Sequence, residues 1–382
     1  MRLRLIERLS GLAIIIALLL GLLAKNTPLA SLYDAAHHAP VHFGIGPWTS
    51  DEPLILWINE GLMVLFFLLI GMELKRELIE GNLSTLRHAI LPAVTAVGGV
   101  AVPALIYLVT TWGTPEVARG WAIPTATDIV LALAVLTPLG SRVPVALKTF
   151  VTALAIFDDI AAVLIIGLFY GKAIAWPKLA FIVIAVGSLW ILNRIGVSRI
   201  WAYVVLGAIL WLVMLSAGIE PTLTGVFVGF APAMRPNADG SPLKETEASL
   251  HPWVALIIVP LFTFFNSGVQ IGPEIVHGLA SPAAVGIILG LFLGKQIGIM
   301  AVAWIVTRTG IALLPPGVTW KQFYGAAVVA GIGFTMSLFV NALAFSDPEI
   351  VASSKLAILV ASSISATIGF LVLLLTARRI HR

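Results

Sequence analysis

Four ionisable side chains stand in stretches otherwise too apolar for water: Asp128, Asp158, Asp159 and Lys295. A charge inside a membrane-spanning segment is costly, and such residues by default mark ion pathways and proton relays. Asp158 and Asp159 follow Ala146, the start of an apolar run, by twelve and thirteen residues. At about 1.5 Å per residue this is roughly 18 to 20 Å along a helix of about 36 Å, near the bilayer midplane. Lys295, twelve residues after Ala283, falls at a similar depth, and so, roughly, does Asp128, nine residues after Arg119. Adjacent helical residues point about 100° apart, so Asp158 and Asp159 must find different partners. If all four groups were ionised, three acids and one base would leave net negative charge where uncompensated charge is very costly. Protons or a metal cation must supply the difference. A small hard cation prefers oxygen ligands, and a carboxylate oxygen cannot hold a cation and a proton at once. One site then serves both ions alternately, titrating as a coupled pair.

These residues must be positioned by helices in lipid. Of 382 residues, 59% are hydrophobic and only 11% charged, against roughly 25% charged in a soluble domain. Twelve apolar runs are legible: 10–24, 54–73, 89–112, 119–139, 146–169, 178–194, 200–216, 221–233, 252–271, 283–306, 322–345 and 355–377. A helix needs about 20 apolar residues to cross, so twelve leave no room for a sizeable soluble domain. Residues 1–382 are therefore expected to form a single integral membrane domain, all-α and polytopic. Arg2, Arg4 and Arg8 precede Gly11–Ala24 in the manner of a signal peptide, but no small-x-small cleavage site follows, and run one reads as an uncleaved first helix. The absence of cysteine excludes a disulfide scaffold, a thiolate metal site and a cysteine nucleophile.

Placing both termini in the cytoplasm puts seventeen of the 23 basic residues on that side, among them Lys75, Arg76, Arg194, Lys244 and Arg308. Lys25, Arg119, Lys172, Lys178 and Lys355 fall opposite, and Lys295 lies within a run. This is the positive-inside pattern, so the net charge of +4 reflects topology rather than a nucleic-acid surface. The longest outside loop, 25–53, is expected to form a small ordered element; the longest inside loop, 234–251, carries Arg235, Asp239, Lys244, Glu245 and Glu247.

Two runs read as interrupted helices. Run four contains Trp121-Ala122-Ile123-Pro124-Thr125-Ala126-Thr127-Asp128, where proline removes a backbone donor and hydroxyls can satisfy freed groups. Run eleven contains Ala330-Gly331-Ile332-Gly333-Phe334-Thr335-Met336-Ser337. They are the middle members of the triplets three to five and ten to twelve. An odd offset of seven crossings inverts the second triplet, the inverted-repeat arrangement of secondary transporters with a midplane site at the broken helices. Facing half-helix ends need compensating charge, for which Asp128 and Lys295 are the evident suppliers. Run ten also carries Gly286, Gly290, Gly294 and Gly298 at four-residue spacing, a close-packing stripe. Gly290 to Lys295 is one residue short of a phosphate loop, with Gln296 in place of Ser or Thr, so nucleotide binding is not expected.

Several long strings in order, Leu56 to Met63, Gly71-Met72-Glu73-Leu74-Lys75-Arg76-Glu77-Leu78, Gly120 to Asp128, Leu139 to Pro144, Asp158-Asp159, His251-Pro252-Trp253, Gly294-Lys295 and Gly331 to Ser337, give the chain its resemblance to the NhaA family of bacterial sodium/proton antiporters. That family is itself a standing example of the inverted-repeat architecture. The resemblance implies that Asp159 binds the cation and exchanges protons, with Asp158 beside it and Thr127 close by. It associates Asp128 with the crossed helix ends and Lys295 with the acid at 158. Glu73, Glu77, Glu247 and His251 match positions linked to the cytoplasmic funnel and pH response, and Glu60 an acidic position in the second helix. Two departures stand out: Glu220 and Ala248 occupy positions where well-known members carry histidines. A solvated glutamate titrates well below the neutral range in which histidine switches.

The expected function is exchange of sodium or lithium for protons across the bacterial inner membrane, serving sodium and pH homeostasis, with no enzymatic activity and no cofactor. Its partners are sodium or lithium ions, protons and membrane lipid, with no nucleic acid; a homodimer is left open. A cation channel is the nearer alternative. An intramembrane aspartyl protease is remoter, because the Gly-x-Gly-Asp string of such enzymes is absent.

Overall fold

A computed structural model describes residues 2–45, 48–81, 84–171, 176–197, 199–232 and 241–376. Arg235, Lys172 and the basic tail Arg378, Arg379 and Arg382, all used in the charge asymmetry, lie outside the described residues, as does the loop residue Asp239.

The first helix, α1 (Arg2–Lys25), is followed after a 110° bend by the short α2 (Ala30–His37) and an antiparallel hairpin of β1 (Pro40–Ile45) and β2 (Trp48–Pro53). The loop 25–53 therefore holds the small ordered element expected of it. Next come α3 (Leu54–Ile79), α4 (Leu86–Thr110), a 3-10 segment Pro115–Thr125, α5 (Ile129–Leu136), α6 (Val145–Phe169), α7 (Trp176–Arg194) and α8 (Ile200–Ala217). The chain continues through α9 (Leu223–Phe230), α10 (Pro242–Ser267), α11 (Pro273–Gly278), α12 (Pro282–Arg308), α13 (Trp320–Val329), α14 (Phe334–Ala344) and α15 (Pro348–Thr376).

Eight helices among the described residues are long and apolar enough to cross a membrane, and up to eleven spans result if each bent pair is one crossing. The protein is a multi-pass, all-α membrane protein. The eighth expected run departs from this count. Its helix α9 has eight residues, about 12 Å, too short to cross. The turn residues Pro221 and Thr222 precede it, and Ala231 already lies outside it.

Local chemistry sets many of the boundaries. Proline, whose missing N–H is an orphan in the first turn anyway, opens α10, α11 and α12. Thr319 and Gln322 form a reciprocal capping box at the start of α13. Gly218, with φ +79°, ends α8 in the left-handed conformation that suits a residue without Cβ. Three spans contain a π-helical turn, Trp57–Leu62 in α3, Val254–Ile258 in α10 and Gly290–Gly294 in α12.

The chain divides into two compact units: residues 1–12, 82–164 and 269–382, and residues 13–81 and 165–268. The first contains both expected triplets apart from the last residues of α6. The sequence long helix, broken pair, long helix occurs twice there, as α4, Pro115–Thr125 with α5, and α6, and as α12, α13 with α14, and α15. The broken pairs bend by 45° and 42°. The glycine stripe of α12 lies against α4, as its packing reading required. A Cβ at Gly286 would meet Tyr107 and Thr110, one at Gly294 would meet Pro103, and one at Gly298 would collide with the backbone of Gly98. The second unit holds α3, α8, α9 and α10, with α9 packed on α3.

Candidate functional site

The two helix breaks of the first unit are joined by backbone and hydroxyl groups. The Asp128 N–H donates to the Ile332 carbonyl at 2.6 Å. Thr127 Oγ1 lies 2.8 Å from the Ala330 carbonyl, and Ser337 Oγ donates to the Ile123 carbonyl at 2.7 Å. The chain leaves helical geometry at both breaks, so these carbonyls lie outside the helical ladders, and groups from across the crossing face them; the one hydrogen of the Thr127 hydroxyl is shared between the Ala330 carbonyl and Asp158.

Asp128 serves the opposite ends. One carboxylate oxygen accepts from the Leu131 N–H at 3.0 Å and so caps α5. The other accepts from the Thr335 N–H at 3.1 Å and the Thr335 hydroxyl at 2.5 Å, inside the first turn of α14. A single buried carboxylate thus faces two helix N-termini, where the positive ends of the helix dipoles favour it.

Lys295, fully buried, sets its ammonium 2.6 Å from Asp158 Oδ2. It therefore meets the acid at 158, as the resemblance implied; the facing carbonyls described above have backbone and hydroxyl donors. The same Oδ2 accepts from Thr127 Oγ1 at 2.6 Å. Asp158 Oδ1 is buried and has no hydrogen-bond donor among the described residues. Asp159 follows on α6, 4% exposed, about 100° further round the helix. Three of the predicted residues, Thr127, Asp158 and Lys295, thus form one network, with Asp128 adjacent in sequence to the first and Asp159 to the second.

The predicted funnel residues lie in the other unit. Arg76 joins two of them: Nε donates to both Glu247 oxygens at 2.9 and 3.1 Å, and a terminal nitrogen donates to Glu77 at 2.9 Å. Lys244 pairs with Glu80 at 2.5 Å. The C-terminal end of α3 is thereby tied to the first turns of α10. Glu73 stands one turn before Glu77 on α3, and His251 one turn after Glu247 on α10. Arg76 is the hub that sequence reasoning missed, having been counted only for topology; its place between Glu73 and Glu77 was the available signal. Thr335, Ala330 and Ser337 were seen only as members of a broken run.

Glu220 requires a correction. A solvated side chain was expected, yet the residue is 7% exposed and accepts from Thr222 Oγ1 at 3.1 Å. It lies between the left-handed Gly218 and the turn at Pro221 and Thr222, with the Leu223 N–H donating to the Glu220 carbonyl.

The model of the family described as Na+/H+ antiporter 1 matches residues 3–373. A protein of Rhodospirillum rubrum named Na(+)/H(+) antiporter NhaA is 46% identical over 379 residues, covering 97% of this chain and 95% of that protein. One of the same name from Proteus mirabilis is 46% identical over 370 residues, covering 96% and 94%. The structure of the sodium proton antiporter MjNhaP1 from Methanocaldococcus jannaschii aligns with a TM-score of 0.58 over 99% of each chain at 14% identity, a likeness of fold alone. The match along nearly the whole length, over the same strings that build the helix crossing and its buried acid–base pair, makes this chain a member of the Na+/H+ antiporter 1 family.

Proposed function

We propose that the chain exchanges sodium or lithium for protons at Asp158 and Asp159, in the bacterial inner membrane and with both termini cytoplasmic, and that both compact units serve this one transporter. The observation that carries the reading is Asp158: one carboxylate oxygen is held by Lys295 and Thr127, and the other, equally buried, has no donor among the described residues. An oxygen so placed is a ligand for a hard cation or a seat for a proton, and it cannot be both together. Asp159 supplies the second carboxylate, and Thr127 a hydroxyl oxygen beside Asp158.

The groups around the site divide the work. Asp128 holds the two half-helix starts together, so the backbone near the acids is fixed by a charge that does not itself carry ions. Lys295 keeps Asp158 in place between turnovers and releases it as the cation binds. Arg76, Glu77, Glu247, Glu73 and His251 form the funnel and respond to pH. Orientation rests on the basic residues gathered at one end of the spans.

Proteoliposomes test the function. An imposed sodium gradient should move protons in the opposite direction in the parent, and Asp159→Asn should abolish that movement while leaving insertion intact. Sodium flux indifferent to an opposing proton gradient would mean a channel, and undiminished exchange in Asp159→Asn would remove the site.

A further inference from the structure

A cavity of about 540 Å³ opens within the second unit, bordered by α3, α7 and α9. Lys75, Asn193 and Arg194 give it a polar rim; Val186, Phe227 and Phe230 give it an apolar wall. Two cations line it and, among the described residues, no acid does. The rim lies at element ends: Arg194 closes α7, Phe230 closes α9, and Lys75 is four residues from the end of α3.

The donors of the rim are unequally used. Lys75 Nζ donates to the carbonyls of Phe230 and Pro232 at 2.7 and 2.8 Å, which leaves one of its three N–H groups. Asn193 donates to the Ala231 carbonyl. The Arg194 guanidinium is held 4.8 Å over the ring of Trp190, and no hydrogen bond or ion pair engages its donors among the described residues. Trp190 is 59% exposed, and Phe227 and Phe230 are also open to the surroundings. An arginine stacked on an exposed tryptophan at the end of a span is the arrangement that places a cation at headgroup level with its apolar stem below.

We propose that this cavity seats an anionic phospholipid: its phosphate is taken by Arg194 and the third N–H of Lys75, and an acyl chain lies along Val186 and Phe227. A free phosphate would use the rim and gain nothing from the exposed apolar wall, whereas an amphiphile uses both. The rim is on the side to which the basic residues are drawn, where anionic lipids meet basic cavities between helices. The proposal rests on helix ends remote in sequence from the exchange residues and stands apart from the transport chemistry.

Tryptophan quenching by brominated lipid tests it. The full chain is reconstituted in phosphatidylcholine discs holding a minor share of brominated phosphatidylglycerol or, separately, of brominated phosphatidylcholine, and the Trp190 signal is isolated by subtracting Trp190→Phe. The brominated anionic lipid should quench Trp190 more strongly than the zwitterionic one at equal mole fraction. Arg194→Gln should weaken that preference about five-fold, the value of one basic residue near a charged surface, and Arg194→Lys should largely restore it. Excess inorganic phosphate should leave the quenching unchanged. Equal quenching by the two lipids in the parent overturns the proposal without recourse to any variant. Reversal by inorganic phosphate would assign the rim to a free anion instead, and a full preference in a properly inserted Arg194→Gln would refute the role of the guanidinium. Arg194→Gln should keep parental sodium-dependent exchange.

Discussion

Asp128 holds together two helices that sequence separates by about two hundred residues, so its removal should be felt as one event in both. In Asp128→Ala three buried donors lose their acceptor: the Leu131 N–H, the Thr335 N–H and the Thr335 hydroxyl. Loss of a helix N-cap costs about 0.5 to 2 kcal/mol, and each hydrogen bond to a charged acceptor contributes about 1.5 to 3 kcal/mol. The gross loss is therefore about 4 to 8 kcal/mol, offset by the several kcal/mol no longer needed to bury a carboxylate. A net destabilisation of about 2 to 4 kcal/mol is expected, with Asp128→Asn less severe because one oxygen survives. The assay is unfolding of the purified protein by SDS titration, followed by tryptophan fluorescence, for Asp128→Ala, Asp128→Asn, Thr335→Val and the double variant Asp128→Asn with Thr335→Val. The contact between the two side chains should appear as a coupling of about 1 to 2 kcal/mol, well above the few tenths within which independent sites add. Strict additivity, or an alanine variant as stable as the parent, would refute the view that this carboxylate bridges the two half-helices.

Asp158→Asn, like the change at 159, should abolish exchange while leaving the protein inserted; retained sodium-driven proton flux would count against it. Lys295→Ala strips a buried carboxylate of its cation and should cost about 3 to 5 kcal/mol, less in Lys295→Arg, by the same SDS titration; equal stability of parent and alanine variant would break the pairing. Arg76→Gln deprives Glu77 and Glu247 of their shared partner and should displace the pH midpoint of exchange, while a half-exposed arginine contributes no more than about 1 kcal/mol to stability; an unmoved midpoint would exclude the hub from the pH response. Glu220→His places an imidazole in a buried turn and should lower thermal stability; if the pH midpoint instead follows sodium concentration equally in parent and variant, competition at the paired aspartates sets it.

The depth arithmetic put Asp158 and Lys295 at one level, but read alone it assigned Lys295 to the crossed helix ends; its pairing with the acid at 158 came from the family resemblance and is the contact the structure holds. Both breaks were legible from proline and glycine in otherwise unbroken apolar runs. What joins the breaks was not: the partners of Asp128 and Thr127 depend on a crossing in space, and no periodicity in either run points to Thr335 or the Ala330 carbonyl. Glu220 shows the opposite failure. A glutamate after a helix-ending glycine reads as solvated, and its burial depends on packing in space that no local pattern reveals. Run eight misled for a similar reason, since apolarity does not reveal that a run stops after two turns of helix.

The π-turn at Gly290–Gly294 ends one residue before Lys295. A π-turn accommodates one residue more than an α-turn, and each residue of an α-helix advances the chain by about 100°. The azimuth at which the lysine leaves its helix is accordingly written into a residue count rather than into a side chain. Deleting one residue from this turn would restore regular α geometry with little loss of phase, because the wider turn takes up its extra residue locally; deleting one from the α-helical turn that follows Lys295, which has no residue to spare, would swing everything after it by about 100°, turning Gly298 off the face it shares with Gly98. In this span the number of residues per turn is a quantity that composition conceals, and a deletion that alters no functional residue would still part the two helices that pack at Gly98 and Gly298.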